Sequence, residues 1–405
     1  MPTPAAGSEL RTALTKTPQI TPSQRPDGLS PGRLFNASGL ATRLRASPLL
    51  AFGPSAPGPA LRRGALIAVP IGLSLIVELG FDAPTKGAIA TGALLAGFPG
   101  LDAEARPRAA WQAVAAPLIG SAAAIGILSS QSAPAAVLVM GLVGAMAGYG
   151  FAYSLRLAIF GLSIALALLI GQGLFLAPDD AWPALLYGTV GGLTQVVWSL
   201  LVWVFADRAA KGQESGWNTR AAIVALKSNL TLRASSCRHA IRFGVSLAAG
   251  VALYRILGMT DHGFWIPLTI LFVMRPERDE TYHRLALRGL GTLLGLVIAT
   301  AIAESLGDYA WVVVVVLTIS AALTFGLLTV QYALFTAAIT TYVVLLTDTL
   351  GEGAFEAAGQ RLIGTALGLL LCFIAFVLWP NPGEGRAARV DLPSPGPSPP
   401  EPAAR

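Results

Sequence analysis

The chain has 405 residues, 54% of them hydrophobic and 12% charged, with a mean hydropathy of +0.63 and a formal net charge of +6. A soluble domain of this size could not cover so much apolar surface, and charges clustered between long apolar runs exclude the alternating pattern of a transmembrane barrel. The composition points to an all-α, polytopic transmembrane helical bundle, and its surplus Lys and Arg sit in tails and alternate loops, which argues against a nucleic-acid role.

In chain order, residues 1–60 are rich in Pro, Ser, Gly and Arg, with Glu9 and Asp27 their acids, and read as a disordered basic tail. They hold no continuous apolar stretch of the kind a signal peptide needs, although a transit peptide shares their acid-poor composition. Residues 381–405 form a second, Pro-rich tail expected to stay disordered. Between the tails, about 12 apolar runs lie near 64–80, 87–98, 109–128, 133–150, 155–177, 182–206, 236–257, 263–275, 285–303, 309–327, 333–347 and 361–379. A polar connector, 207–235, divides them into halves at 61–206 and 236–380. Cys237 and Cys372 fall at or within apolar runs without metal-ligand spacing, so neither a metal nor a cofactor is expected.

Charge sets the expected orientation. Arg106 and Arg108, Arg156, the connector (Arg208, Lys211, Arg220, Lys227, Arg233), and Arg275, Arg278 and Arg284 occupy every second connection. The others hold Asp179 and Asp180, Asp261, Glu304 and Asp308, and Asp348, Glu352 and Glu356, with Lys86 and Arg255 the exceptions. The positive-inside rule then places both termini and the connector in the cytoplasm.

The halves also repeat. A gapless shift of 176 positions superposes Arg62 on Arg238, Gly87 on Gly263, Arg108 on Arg284, Gly188 on Gly364, Thr189 on Thr365 and Trp203 on Trp379. With an even number of helices per unit, the two six-helix repeats run parallel, related by an axis along the membrane normal. Within the second half, RGLGTLLGL (288–296) and RLIGTALGL (361–369) share a pattern and enter from opposite sides, as in a nested inverted repeat of three helices. The bland alternative is ordinary small-residue glue between membrane helices.

The run DHGFWIPLTILFVMRPERDETYHR (261–284) is unusual. From Gly263 to Met274 a helix would rise only about 18 Å, against a bilayer core of about 30 Å, and Pro267 interrupts it. It superposes on another short run, GAIATGALLAGF (87–98). Paired short segments at corresponding repeat positions mark a substrate site in transporters, while a tilted neighbour or a thinned bilayer is the competing account.

An anion in such a passage needs fixed positive charge, and Arg offers a planar fork matched to a carboxylate. Arg288 and Arg361, expected to open the two Gly-Thr helices, are the leading candidates, with Thr292 and Thr365 one turn on and Trp265 as a ring to stack on. Topological anchoring at a helix end competes for the arginines, and an interfacial aromatic belt for Trp265. Glu78 is the most membrane-embedded carboxylate and a proton-coupling candidate. His239, His262 and His283 lie at loop or helix ends, where solvation is the default. At the 176 offset Arg288 meets Gln112 and Arg361 meets Leu185, so an anion site is expected to be one-sided. No nucleophile with its base and no phosphate loop is present, and the chain is not expected to be an enzyme.

The turn HGFWIPLTILFVMRP, the basic segment ERDETYHRLALR and the RGLGTLLG that follows resemble the fusaric acid resistance protein-like (FUSC) family of integral membrane transporters, which includes aromatic acid exporters. The resemblance covers residues 236–380, with the first half a degenerate copy. RGLGTLL after a short Trp-led helix is also similar to the plant aluminium-activated malate transporters, anion channels built as dimers of six-helix units. The resemblance implies movement of small organic anions across a bacterial inner membrane, by an exporter or alternatively a channel. A homo-oligomer or a periplasmic adaptor is the partner class it leaves open. Longer family members carry a sizeable cytoplasmic domain, for which the connector here leaves no room.

Overall fold

A computed structural model describes residues 57–379 apart from 82, 84, 86, 174–176, 208–218, 232–233, 260–262, 308 and 351–353. Both expected tails, much of the connector and His262 lie outside the described residues. Among the described residues there are thirteen α-helices and no strand. The first half holds α1 (Pro57–Leu75, running on as a π turn to Gly80), α2 (Ala88–Gly97), α3 (Ala105–Ser130), α4 (Ala133–Tyr149), α5 (Leu155–Gly173) and α6 (Ala181–Val202). The connector holds α7 (Thr219–Ser228). The second half holds α8 (Ser235–Ile256), α9 (Trp265–Val273), α10 (Arg278–Leu306), α11 (Ala310–Leu327), α12 (Tyr332–Thr349) and α13 (Ala354–Leu378).

The protein is a polytopic membrane bundle, and nine helices among the described residues are long and apolar enough to cross a bilayer. The exceptions are the short α2 and α9, the connector helix α7, and α8, whose first turns carry Arg238, His239 and Arg242. The outer surface is apolar, with Leu138, Leu142, Val197, Leu201, Val297 and Phe373 exposed to what lipid covers in the membrane. Helix α7 is one element the twelve expected runs omit. The Tyr149 hydroxyl of α4 donates to its Leu226 carbonyl, tying the connector to the bundle.

Helices pack in corresponding pairs at the 176-residue offset. Helix α3 lies on α5 as α10 lies on α12, and α4 on α5 as α11 on α12. The first helix of each half packs on the fourth helix of the other, α1 on α11 and α8 on α4. Small residues allow this approach: Gly64 of α1 abuts Gly326, and Gly244 of α8 abuts Gly141 and Ala145. Without a hydrophobic force between helices in lipid, such close contact is what van der Waals attraction needs.

The basic connections gather at one end. Arg156 of α5 pairs with Asp102 before α3 at 2.8 Å, and its guanidinium holds the Asp102 carboxyl below the usual carboxylate range. Arg242 of α8 donates to the carbonyls of Pro276 and Trp379, and Arg275 stacks on Phe151. Arg255, an exception in the charge pattern, donates instead to the Ser130 carbonyl at the far end of α3.

Pro70 sits inside α1 and lacks the amide that would pair with the Leu66 carbonyl. Helix α6 supplies the missing donor and a second beside it: Trp198 Nε1 donates to the Leu66 oxygen at 2.7 Å and Gln195 Nε2 to the Ile67 oxygen at 2.9 Å. Trp198→Phe should therefore destabilise the purified protein by about 1 kcal/mol, the scale of an interhelical hydrogen bond in a membrane bundle. Pro70→Ala, which restores the backbone donor, should remove most of that penalty in the double variant, read as detergent thermal midpoints. Additive losses would show the two positions to be uncoupled.

Candidate functional site

Helix α9 has nine residues and rises about 14 Å. Pro267 does not break it; it occupies the first turn, where a missing N–H leaves no hydrogen bond unmade. Trp265 through Leu271 are buried without exception, so both ends of this short helix are wrapped in protein. Helix ends are tolerated at membrane depth only under such cover.

Two helices with the same pattern clasp this region. The Gly291 and Gly295 face of α10 lies on α12, where a side chain at Gly295 would meet the Ala337 carbonyl at 2.6 Å, and Thr341 Oγ1 donates to the Gly295 oxygen at 3.2 Å. The Gly364 and Gly368 face of α13 lies on α9, where added side chains would meet Trp265 Cβ at 2.6 Å and the Ile266 carbonyl at 2.7 Å. The third helix of each three-helix set thus packs on the second helix of the other.

This clasp brings Arg288 and Arg361 together in the bundle interior. They do not open their helices, as expected from the apolar runs, but lie ten residues into α10 and seven into α13. Helix α10 starts early because Thr281 closes its first turn, donating to the Glu277 carbonyl and accepting from the Arg275 amide, and because Glu280 pairs with Arg284 one turn on. Each of Arg288 and Arg361 is only 1% exposed, and the charge of Arg288 repels that of Arg361. The Arg361 guanidinium lies 4.1 Å from the Trp265 ring centroid and donates from Nη2 to Thr340 Oγ1 at 3.2 Å. That of Arg288 lies 5.1 Å from the Phe272 ring, with the Tyr332 hydroxyl in hydrogen-bonding reach.

Neither arginine has a carboxylate partner among the described residues. Nε and Nη1 of both are buried and unpaired, as are the Thr292 hydroxyl and the Trp265 indole N–H. Thr365 is buried one turn beyond Arg361. Trp265 is no belt residue, being 1% exposed with its ring against Arg361 and Phe264, which leaves its N–H rather than a free face for a ligand. Thr340, Phe272 and Tyr332 escaped the sequence reading; the one signal was the Thr-Thr-Tyr step at 340–342 inside an apolar run.

The first half has no such charge. Gln112, at the Arg288 position, is buried and accepts from Ser199 Oγ at 2.7 Å, and Leu185, at the Arg361 position, packs among Ala124, Ile127 and Ala181. Glu78 lies apart from the arginines. Its two carboxylate oxygens accept the Ile89 and Ala90 amides at 2.8 Å each, capping α2, and it reaches the electrostatic neighbourhood of Tyr342. A cavity of about 560 Å³ between α1, α2 and α6 also borders Glu78, away from the arginine pair. His239, expected at a solvated helix end, is instead fully buried between Phe151 and Phe243, because α4 and α8 pack together there. At the basic end, burial and the Arg284 charge push the Arg275 guanidinium down to about 9, which leaves it charged at neutral pH.

Residues 247–380, the stretch that carries the arginine pair, match the fusaric acid resistance protein-like family. Among curated relatives, the inner membrane protein YccS of Escherichia coli (strain K12) is 37% identical over 183 residues, 44% of this chain and 23% of that protein. The uncharacterized protein ORF2 of Neisseria gonorrhoeae is 30% identical over 161 residues, 39% of this chain and 37% of its own length. The uncharacterized protein YhfK of Escherichia coli (strain K12) is 30% identical over 160 residues, 39% of this chain and 22% of its own length. The alignments thus span well under half of each relative. No solved structure matches the chain.

Glu78→Gln keeps the size of the cap but can accept only one of the two amides well. It should cost about 1–2 kcal/mol, the usual worth of an N-terminal cap, and appear as a lower thermal midpoint of the purified protein. An unchanged midpoint would mean that α2 holds its place without the carboxylate.

Proposed function

We propose that the protein is a transporter of the bacterial inner membrane that moves small organic carboxylates, with Arg288, Arg361, Thr292, Thr365 and Trp265 forming the anion site. One observation carries this reading: two fully buried guanidiniums, near enough for their charges to repel, have no carboxylate partner among the described residues and have unpaired donors around them. An uncompensated charge in a low-dielectric interior costs several kcal/mol, and a bound carboxylate offsets that cost while accepting several N–H groups at once. The paired short helices and the family match of residues 247–380 support transport, and the name of the YccS relative supports the inner-membrane setting. That family's description, fusaric acid resistance, favours aromatic acids as the substrate class. Glu78 is the proposed proton-coupling carboxylate, buried where it holds α2. A passive anion channel of the malate-transporter kind is the alternative.

Flux in proteoliposomes tests the proposal. Arg288→Gln and Arg361→Gln should each lower benzoate or malate flux by about tenfold or more, the worth of a charge-assisted contact, while Gln112→Ala and Leu185→Ala change it little. Wild-type rates in both correctly inserted arginine variants would sink the site. Uphill movement driven by a proton gradient marks a carrier; dissipation alone marks a channel.

The proposed orientation has both termini and the connector in the cytoplasm. Single cysteines at Asp180 and Gln213 should then label oppositely on intact cells, Asp180 reacting with an impermeant maleimide and Gln213 staying protected. Labelling of Gln213 alone would reverse the topology.

A further inference from the structure

The arginine pair is the inner end of a longer file. Arg284, one turn before Arg288 on α10, stacks 4.5 Å from the Tyr332 ring, and the Tyr332 hydroxyl reaches Arg288 and donates to the Phe272 carbonyl at 3.0 Å. Arg275 stands beside Arg284 at the turn before α10. Four guanidiniums thus follow one another from the basic end of the bundle to its middle, each against an aromatic ring: Phe151, Tyr332, Phe272 and Trp265 in turn. Among the described residues one carboxylate pairs with this file. Glu280 Oε1 accepts from Arg284 Nε at 2.9 Å and lies 3.8 Å from Arg275 Nε, while its side chain remains 42% exposed. Arg284 Nη1 is still unpaired.

We propose that Glu280 is a tethered competitor: its carboxylate occupies the outermost station of the file, and a free organic carboxylate passes between the basic end and the inner site by taking its place on Arg284 and Arg275. The chemistry is an exchange of like for like. A carboxylate replaces a carboxylate on the same fork, so the outer guanidiniums are never left bare while an anion goes by. Half-exposed at the start of its helix, Glu280 can swing toward water when displaced, which a buried carboxylate could not do without a large desolvation cost. This inference rests on the anion site proposed above.

The test uses the purified full chain and benzoate as probe, read as the concentration that gives half of the thermal protection a ligand confers. Glu280→Gln should lower that concentration about three- to fivefold, as expected when a part-exposed ion pair no longer competes. Glu280→Asp, which keeps the charge but withdraws the carboxylate by one carbon, should fall between. Asp279→Asn, which removes an exposed neighbouring charge, should leave it unchanged. If Asp279→Asn matches Glu280→Gln, surface potential and not competition is at work, and the proposal fails. It fails equally if Glu280→Gln leaves half-protection unmoved while Arg288→Gln abolishes it, a result that spares the inner site. Protection by benzoate that persists in Arg288→Gln and Arg361→Gln, or its absence from both wild type and Glu280→Gln, would overturn the inner site and the competitor together.

Discussion

Two like charges buried within reach of each other's repulsion inside a membrane bundle set the terms for what surrounds them. Left bare, each guanidinium is strongly disfavoured there, and the aromatic faces of Trp265 and Phe272 return only about 2 kcal/mol apiece even when dry. Arginine side chains are long enough to escape such places by reaching toward the interface. These two are held back by packing: Arg361 between the Trp265 ring and Thr340, Arg288 between Phe272 and Tyr332.

That confinement depends on glycine. The α10 face at Gly291 and Gly295 lets α10 close on α12, and the α13 face at Gly364 and Gly368 lets α13 close on α9, so each arginine-bearing helix is tightly seated. The short helix α9 completes the arrangement. Because it is enclosed, its length need not match the bilayer, and its first residue can be a buried tryptophan beside a charge. In the first half the same architecture holds with the charges replaced by Gln112 and Leu185, and with a carboxylate, Glu78, closing the start of α2. Tyr254 stands at the position corresponding to Glu78.

Much of this was legible in the chain. Apolar run lengths locate twelve of the thirteen helices among the described residues, and the repeated Arg-x-x-Gly-Thr pattern singles out the two arginines. What escaped was depth. Hydropathy placed the start of α10 near residue 285, but Thr281 and the Glu280–Arg284 pair carry the helix back to Arg278 and so sink Arg288 into its middle. His239 was misjudged for a related reason: its burial comes from α4, a helix distant in sequence, and no local pattern records that. Helix α7 went unnoticed because it is short and falls within a polar stretch.

The exchange of first helices between the halves has a consequence for biosynthesis. Helix α1 finds its main partner in α11, and roughly 235 residues separate Leu75 from Ala310. At about 5–20 residues per second, the ribosome needs on the order of ten to fifty seconds to bridge that gap. During that interval the small-residue face around Gly64 and the kink at Pro70 have lipid, the insertion machinery, α2 or α6 against them. The donors from Gln195 and Trp198 arrive well before α11 does, so α6 acts as a temporary clasp on an unfinished helix. Quality-control proteases that survey nascent membrane proteins would meet this chain with its opening helix half-docked, and the speed at which the second half is made would then govern how much of it survives.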